Sequence, residues 1–217
     1  MASSVLAFGL FPGLQRPAIG GSFLNLAPKI TIMDLGAQID SRPTQLLSTA
    51  ALGCTFSRLF MDIPNPRVGM LSVGAEESKG NAQVRATYPL LQASGLNFVG
   101  NVEAHEIFQD RTDVLICDGF VGNILLKFTE GLADAVTQHL RNTPGLDAAL
   151  ARNFPGLADN TENSSGPLFG VNGVMIIGHG RTDATGVARA IVRANEALNL
   201  NLVEIMRNEL ESIMKTT

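Results

Sequence analysis

The chain has 217 residues, of which 45% are hydrophobic and 17% are charged, and its formal net charge is −4. The high apolar content and low charge exclude a long disordered protein and a solvated coiled coil. The negative net charge argues against nucleic-acid binding as the main role, and two cysteines are too few for a disulfide scaffold.

The first 23 residues are apolar but differ from a signal peptide. They lack a basic N-terminal region, and Pro12, Gly13 and Pro17 interrupt them. No apolar run approaches the roughly 18–20 residues that span a bilayer. We therefore expect a cytoplasmic protein in which Cys117, within an apolar run, is a reduced core thiol.

Short apolar runs followed by glycine-rich or polar turns recur along the chain, at residues 30–34, 68–73, 96–99, 114–117 and 174–177. Strands that are apolar throughout are buried on both faces of a sheet. Helices between such strands form βαβ crossovers. The pattern predicts an α/β fold with a mostly parallel sheet, as a single domain over 1–217.

Helical segments are predicted at 43–53, 79–94, 123–141, 182–198 and 202–214. The first ends at Gly53, and Asp183 stands near the N-cap of the fourth. Apolar residues recur at three- and four-residue steps in 123–141 and along one stripe of 182–198. Residues 142–166, rich in proline, glycine and polar residues, are predicted as an insertion with a short helix near 146–152 and then a loop.

Polar residues and glycines cluster at the predicted carboxyl ends of the strands, where open parallel sheets bind ligands. Glycine turns and helix N-termini favour phosphate. The predicted substrate- or phosphate-binding residues are Asp34, Gly80, Asn81, Asn101, Glu103, Asp118, Gly119, Gly122, His179 and Gly180.

Three turns contain most of these residues, and each turn also has a purely structural interpretation. E-E-S-K-G-N at 76–81 suits an oxyanion ligand but is also compatible with a solvated turn. D-G-F-V-G-N at 118–123 places Asn123 at a helix N-terminus, where it could serve as an N-cap. G-H-G-R-T-D at 178–183 resembles a nucleotide-binding turn without its third glycine, or an ordinary tight turn.

Other catalytic signatures are absent from the sequence. It has no P-loop, no G-x-S-x-G elbow, no H-E-x-x-H motif and no cysteine–histidine cluster. With three histidines in the chain, a histidine-rich metal site is not expected. We expect a phosphate-binding α/β protein without a metal, a cofactor or a covalent protein nucleophile.

Five segments together resemble the bacterial phosphate acyltransferases of the PlsX type. They are D-L-G-A-Q-I-D-S-R-P, N-P-R-V-G-M-L-S-V-G-A-E-E-S-K-G-N, N-F-V-G-N-V-E, D-V-L-I-C-D-G-F-V-G-N-I-L-L-K and G-P-L-F-G-V-N-G-V-M-I-I-G-H-G, in order between residues 10 and 197. The resemblance implies formation of acyl phosphate from acyl-[acyl carrier protein] and inorganic phosphate, in phospholipid synthesis. It also implies a three-layer α/β/α fold related to isocitrate and isopropylmalate dehydrogenases, and a cytoplasmic homodimer that associates weakly with the membrane surface.

The resemblance implies that Lys79 and Asn123 are the catalytic residues. The chain departs from the family in lacking its N-terminal D-A-M-G-G-D strand and S-x-G-N-T-G-A turn, and in the short, weakly basic segment at 142–166. We therefore expect a truncated relative with reduced membrane association. The alternatives are a phosphate acetyltransferase, an isopropylmalate-type dehydrogenase, disfavoured because Tyr88 is the only tyrosine, and a non-catalytic remnant.

Overall fold

The computed structural model describes residues 2–22, 30–143, 165–178 and 182–216. The predicted insertion at 142–166 lies almost entirely outside these residues, together with its expected helix at 146–152. His179 and Gly180 also lie outside them.

Seven strands within the described residues form one sheet. They are β1 (Ala18–Ser22), β2 (Thr31–Met33), β3 (Val68–Leu71), β4 (Phe98–Val102), β5 (Val114–Ile116), β6 (Ser165–Phe169) and β7 (Ile176–Gly178), in the order β4-β3-β5-β2-β1-β6-β7. Neighbours from β4 to β2 are parallel, whereas β1 is antiparallel to β2 and β6, and β7 is antiparallel to β6. The α/β prediction is confirmed, and the reversed strands β1 and β7 make the sheet mixed.

The helices alternate with the parallel strands. They are α1 (Ala2–Phe8), α2 (Pro43–Met61), α3 (Ala82–Ala93), a 3-10 helix (Ala104–Phe108), α4 (Gly119–Arg141), α5 (Ala184–Asn199) and α6 (Leu202–Thr216). All five predicted helices are present. The sequence patterns did not predict α1, β1, β6 or the 3-10 helix.

Apolar cores cover both faces of the sheet. Successive strand residues point to opposite faces. Ile32 and Leu115 accordingly join a cluster with α4 and the 3-10 helix, whereas Met33, Val114 and Ile116 join a larger cluster with α2, α3, α5 and α6. The sheet is therefore the middle of three layers, as predicted.

Helix α2 does not end at Gly53, so that predicted boundary is wrong. Gly53 is buried in the middle of the helix, and a Cβ there would lie 2.7 Å from Cγ1 of Val114. The glycine lets α2 pack closely on β5, and the helix continues to its C-cap at Asp62, which has a left-handed φ of 57°.

The strand β1 was not predicted because its sequence, A-I-G-G-S, has few of the β-branched and aromatic residues that are typical of strands. Gly20 lies so close to β2 that a Cβ there would be 1.7 Å from Sδ of Met33. Packing against the neighbouring strand therefore requires glycine where strand propensity disfavours it.

Two amphipathic helices keep apolar side chains exposed. The α4 stripe consists of Ile124, Phe128, Leu132 and Val136, and the α5 stripe consists of Val187, Ile191 and Leu198. Such stripes usually face a core, but here the cores contact other sides of both helices. No helix within the described ranges combines the length and apolar character needed to cross a membrane.

Candidate active site

The parallel strands bring the candidate site together at one edge of the sheet. The loops after β2, β3, β4 and β5 all leave from their carboxyl ends, so these loops share that edge. The predicted site residues that the structure describes lie in these loops, in β4 (Asn101) and in the first turns of α4 (Gly119, Gly122 and Asn123). The parallel strands thus share a carboxyl edge, and the location of the site there stays a prediction.

Two helices begin at this edge with matching N-caps. Oδ1 of Asn81 accepts a hydrogen bond of 2.9 Å from the backbone N–H of Val84 at the start of α3. Oδ1 of Asp118 accepts one of 2.9 Å from the N–H of Val121 at the start of α4. The expectation that Asn123 marks the helix start is wrong, because α4 begins four residues earlier at Gly119.

Both helix N-termini border one cleft of about 240 Å³. Its polar side includes Ser72, Gly80, Asn81 and Asp118. Backbone N–H groups at a helix N-terminus attract anions, so two such ends beside one cleft favour a phosphate or a developing oxyanion. The rest of the lining is mainly apolar and includes Leu46, Met70, Leu71, Val73, Val84 and Ile116.

The loop between β3 and α3 holds Lys79 at the surface. The Lys79 N–H donates to the carbonyl of Glu76 over 3.0 Å, and Nδ2 of Asn101, from β4, donates to the same carbonyl over 2.8 Å. Gly80 follows with φ of +97°, a conformation that favours glycine. Asn101 is only 1% exposed, so it supports the loop from beneath, while the Lys79 side chain remains exposed.

Asp34 faces inward rather than toward a ligand. It is 1% exposed, and its Oδ1 accepts backbone N–H groups of Ile19, Gly36 and Ala37 over 3.0–3.2 Å. Its Oδ2 accepts the N–H of Gln38 over 2.7 Å. Burial raises the pKa of this carboxyl, although the backbone donors oppose the rise. A ligand could reach either oxygen only by replacing these bonds, so Asp34 primarily organises the loop after β2.

The glycines of D-G-F-V-G-N let α4 approach that loop. A Cβ on Gly122 would lie 1.8 Å from the carbonyl oxygen of Asp34, and one on Gly119 would lie 2.4 Å from that of Gln38. The Gly119 N–H also donates to the Gln38 carbonyl over 2.7 Å. These contacts explain why both positions are glycine, and their predicted contact with substrate stays a prediction.

Asn123 lies on the first turns of α4 against the loop that Asp34 organises. A Cβ on Gly36 would be 3.4 Å from Cβ and 3.5 Å from Oδ1 of Asn123. The Asn123 side chain is exposed. Lys79 lies instead beside Gly74 on the loop after β3, and neither catalytic candidate is part of the cleft lining. The two residues share the edge of the sheet but lie on different loops.

Glu103 occupies the start of the 3-10 helix. Its backbone N–H donates to Oε2 of Glu106 over 2.9 Å, in a capping box. Nδ1 of His105 lies 3.8 Å from Oε2 of Glu103. These contacts make Glu103 a capping residue at the site edge. Of the other predicted residues, His179 and Gly180 cannot be placed because they lie outside the described residues.

One buried polar atom of the cleft lining, Oγ of Ser72, was missed by the sequence analysis. Within the described part of the chain, Oγ of Ser72, Oδ1 of Asn101 and Oε1 of Gln38 are buried without a hydrogen-bond partner. Ser72 is the polar residue in the run V-G-M-L-S-V at the end of β3, which is the signal that could have identified it.

Both cysteines are buried thiols, as expected for Cys117. Burial raises the pKa of Cys54 to about 12 and also raises that of Cys117. Thiolate is the nucleophilic form, so neither group is activated for attack. Across residues 2–22, 30–143, 165–178 and 182–216, no three histidine, cysteine or carboxylate side chains are placed to hold a metal ion.

Comparison with known proteins supports the resemblance found in the sequence. A phosphate acyltransferase of Desulforudis audaxviator is 39% identical over 212 residues, which cover 93% of this chain and 63% of that protein. One of Moorella thermoacetica is 42% identical over 213 residues, covering 94% and 63%. The chain spans between 63% and 66% of the length of these and similar relatives.

The fold is also that of a solved enzyme. A phosphotransacetylase from Streptococcus pyogenes matches 94% of this chain and 59% of its own chain, with a TM-score of 0.62 and 16% identity. At that identity the match concerns the fold alone. The model of the family described as "Fatty acid synthesis protein" matches residues 1–205. The chain therefore belongs to the fatty acid synthesis protein family, in which its relatives include phosphate acyltransferases.

Proposed function

We propose that this chain transfers an acyl group from acyl-[acyl carrier protein] to inorganic phosphate, forming acyl phosphate for phospholipid synthesis. The observation that carries the proposal is the pair of helix N-termini, α3 and α4, that border one cleft with a largely apolar wall. The substrates of this reaction combine an anion with an apolar chain. The names of the relatives support the same chemistry.

The proposed reaction is a direct displacement. A phosphate oxygen attacks the thioester carbonyl carbon, a C–O bond forms, the C–S bond breaks, and the thiolate leaves and takes up a proton from solvent. Lys79 neutralises charge on the phosphate, and Asn123 donates a hydrogen bond to the developing oxyanion or aligns the phosphate. Neither residue is consumed, and no covalent enzyme intermediate is formed.

We further propose, from the family resemblance, a cytoplasmic homodimer that receives its acyl group from acyl carrier protein and touches the membrane surface weakly. The exposed α4 stripe supports an association surface. The short segment at 142–166 argues for weaker membrane contact than in the longer relatives.

The variant Lys79→Ala tests the proposed role of Lys79 in neutralising charge on the phosphate. Removing one charge-stabilising donor should lower the rate of acyl phosphate formation by about 10²–10³-fold. The assay supplies palmitoyl-[acyl carrier protein] and phosphate and traps the product as the hydroxamate. Lys215→Ala, which removes an exposed lysine on α6, is the matched control and should retain full activity.

The same assay separates the alternatives. Product from acetyl-CoA but not from palmitoyl-[acyl carrier protein] would identify a phosphate acetyltransferase. No product from the folded wild-type chain would favour the non-catalytic remnant. Equal activity of Lys79→Ala and Lys215→Ala would refute the role of Lys79.

A further inference from the structure

The backbone carbonyl of Glu76 is the point at which the loop after β3 is tied to the sheet. It accepts a hydrogen bond of 3.0 Å from the backbone N–H of Lys79 and one of 2.8 Å from Nδ2 of Asn101. The first bond closes the turn itself, whereas the second joins residues that are 25 positions apart in the chain. The Asn101 side chain therefore holds the turn that contains Lys79 against β4.

A bulge in β4 determines the face of the sheet on which Asn101 lies. Val68 of β3 pairs with Phe98 of β4. The next pair joins Gly69 to Gly100, so β4 contains one extra residue at this point. Successive strand residues point to opposite faces, so one extra residue exchanges the faces of all the residues after it. In the register of the first pair, Asn101 would lie on the other face, away from the loop.

The buried amide of Asn101 uses only one of its two polar atoms. Its Nδ2 is bonded to the loop, whereas its Oδ1 is buried without a hydrogen-bond partner among the described residues. A buried polar atom without a partner lowers stability, so an apolar side chain of similar size would be more favourable for the fold. The bond from Nδ2 to the loop is therefore the contact that explains an amide at this position.

The backbone of this loop directs the side chain of Lys79. A Cβ on Gly74 would lie 2.9 Å from Cγ and 3.2 Å from Cδ of Lys79, so the lysine stem crosses the bare backbone of this buried glycine. The Lys79 backbone is held at the same time by the carbonyl of Glu76. The direction in which the ammonium leaves the loop therefore depends on the backbone that Asn101 holds in place.

We infer that Asn101 is a positioning residue, which fixes the loop after β3 so that the Lys79 ammonium meets the phosphate. This inference rests on the proposed function, in which Lys79 neutralises charge on the phosphate. Asn101 acts through Lys79 and requires no contact of its own with substrate, unlike the substrate-binding role expected from the sequence. Loss of the Asn101 amide should therefore affect turnover only while Lys79 is present.

The test is a double-mutant cycle on kcat/KM for phosphate. Asn101→Leu removes the amide at similar volume and should lower kcat/KM by ~10–100-fold, since a small displacement of a catalytic group has effects of this size. In the Lys79→Ala background the same substitution should change kcat/KM by less than about twofold. Equal losses in the two backgrounds would overturn the inference, because Asn101 would then act independently of Lys79.

Asn97→Leu is the matched control. Asn97 also donates from its Nδ2 to a loop carbonyl, that of Asn65, over 3.3 Å, but it lies at the amino end of β4, away from the candidate site. This variant should keep the wild-type kcat/KM. If Asn101→Leu fails to fold, Asn101→Ser carries the test, because the shorter serine side chain cannot span the distance to the carbonyl of Glu76.

A labelling measurement separates this inference from the proposed function. Inorganic phosphate should protect Lys79 from an amine-reactive reagent in wild type and in Asn97→Leu, and the protection should be lost in Asn101→Leu, as read by mass spectrometry of the labelled peptide. Protection without turnover in wild type would overturn the acyltransferase proposal and leave the positioning role standing. Equal protection in wild type and Asn101→Leu would overturn the positioning role.

Discussion

The side chain of Asp34 holds the backbone of the loop after β2. Its carboxylate accepts hydrogen bonds from the backbone N–H groups of Ile19, Gly36, Ala37 and Gln38. The loop fixed in this way lies against Asn123. These contacts predict that Asp34 positions the catalytic candidate on α4, and its ligand role stays a prediction.

Asp34→Asn should loosen this loop. The amide replaces one acceptor oxygen with a donor that faces a backbone N–H, which should lower the free energy of unfolding by ~1–3 kcal/mol. Displacement of Asn123 should lower kcat by ~10–100-fold, with a smaller change in KM for phosphate. Urea unfolding and steady-state kinetics provide the two measurements.

Asp40→Asn is the control for this prediction, because Asp40 is exposed in the same loop region and its φ of 56° is tolerated by asparagine. It should change neither property. Unchanged kcat in a folded Asp34→Asn protein would show that the loop does not position Asn123.

Residue-level prediction succeeded where local chemistry decides the structure. Asp183 was predicted near an N-cap and accepts a hydrogen bond from Gly186 at the start of α5. It failed at D-G-F-V-G-N, where two glycines disfavour a helix by propensity. Glycine is needed at 119 and 122 because the loop after β2 lies too close for a Cβ, and that contact is distant in sequence.

At the scale of elements, an ion pair aligns β3 with β5. Arg67 and Asp113 each precede their strand, and the guanidinium of Arg67 donates to both carboxylate oxygens over 2.8–2.9 Å. The Arg67 backbone N–H adds a bond of 2.7 Å. Val68 then pairs with Val114 in the sheet. The pair lies at the amino ends of the strands, away from the candidate site.

Asp113→Asn should therefore lower stability without changing KM. Burial raises the pKa of the Asp113 carboxyl, but the bonds from Arg67 outweigh it and lower the pKa overall. A carboxyl with a lowered pKa stabilises the fold above its unfolded pKa of about 4, and the contribution disappears as pH falls through the folded value. We expect a loss of ~1–2 kcal/mol at pH 7.

Urea unfolding at pH 7, 5 and 3 checks this prediction. The difference between wild type and Asp113→Asn should be full at pH 7 and 5 and should narrow at pH 3. Asp62→Asn, at an exposed helix C-cap, should show no such pattern. A difference that stays constant down to pH 3 would rule out the charge of Asp113 as its source.

Helices and strands with a clear local sequence pattern were predicted, and those without one were missed. The apolar runs located β2, β3, β4, β5 and β7, and all five predicted helices are present, two of them identified by apolar periodicity. Helix α2 extends past Gly53 and β1 contains Gly20 because close packing at those glycines outweighs propensity. Such packing depends on which elements become neighbours, and one sequence does not encode that in a local pattern.

For the whole molecule, the main departure from expectation is the apolar surface that stays exposed. Phe128 and Leu132 on the α4 stripe are 66% and 51% exposed, and the α5 stripe adds a second apolar surface. Helical periodicity correctly identified amphipathic faces, but it carries no information about whether the partner of such a face belongs to the same chain. Contiguous apolar surface of this kind commonly mediates association.

Leu132→Glu should therefore weaken self-association through the α4 stripe. A buried carboxylate without a partner opposes the contact, so the concentration at which the proposed homodimer forms should rise at least tenfold. The free energy of unfolding should not fall, because Leu132 is 51% exposed. Sedimentation velocity over a range of concentrations gives the measurement. Leu6→Glu on α1, where the leucine is 87% exposed outside both stripes, is the matched control. If wild type sediments as a monomer throughout, or if both variants behave alike, the α4 stripe is not the dimer surface.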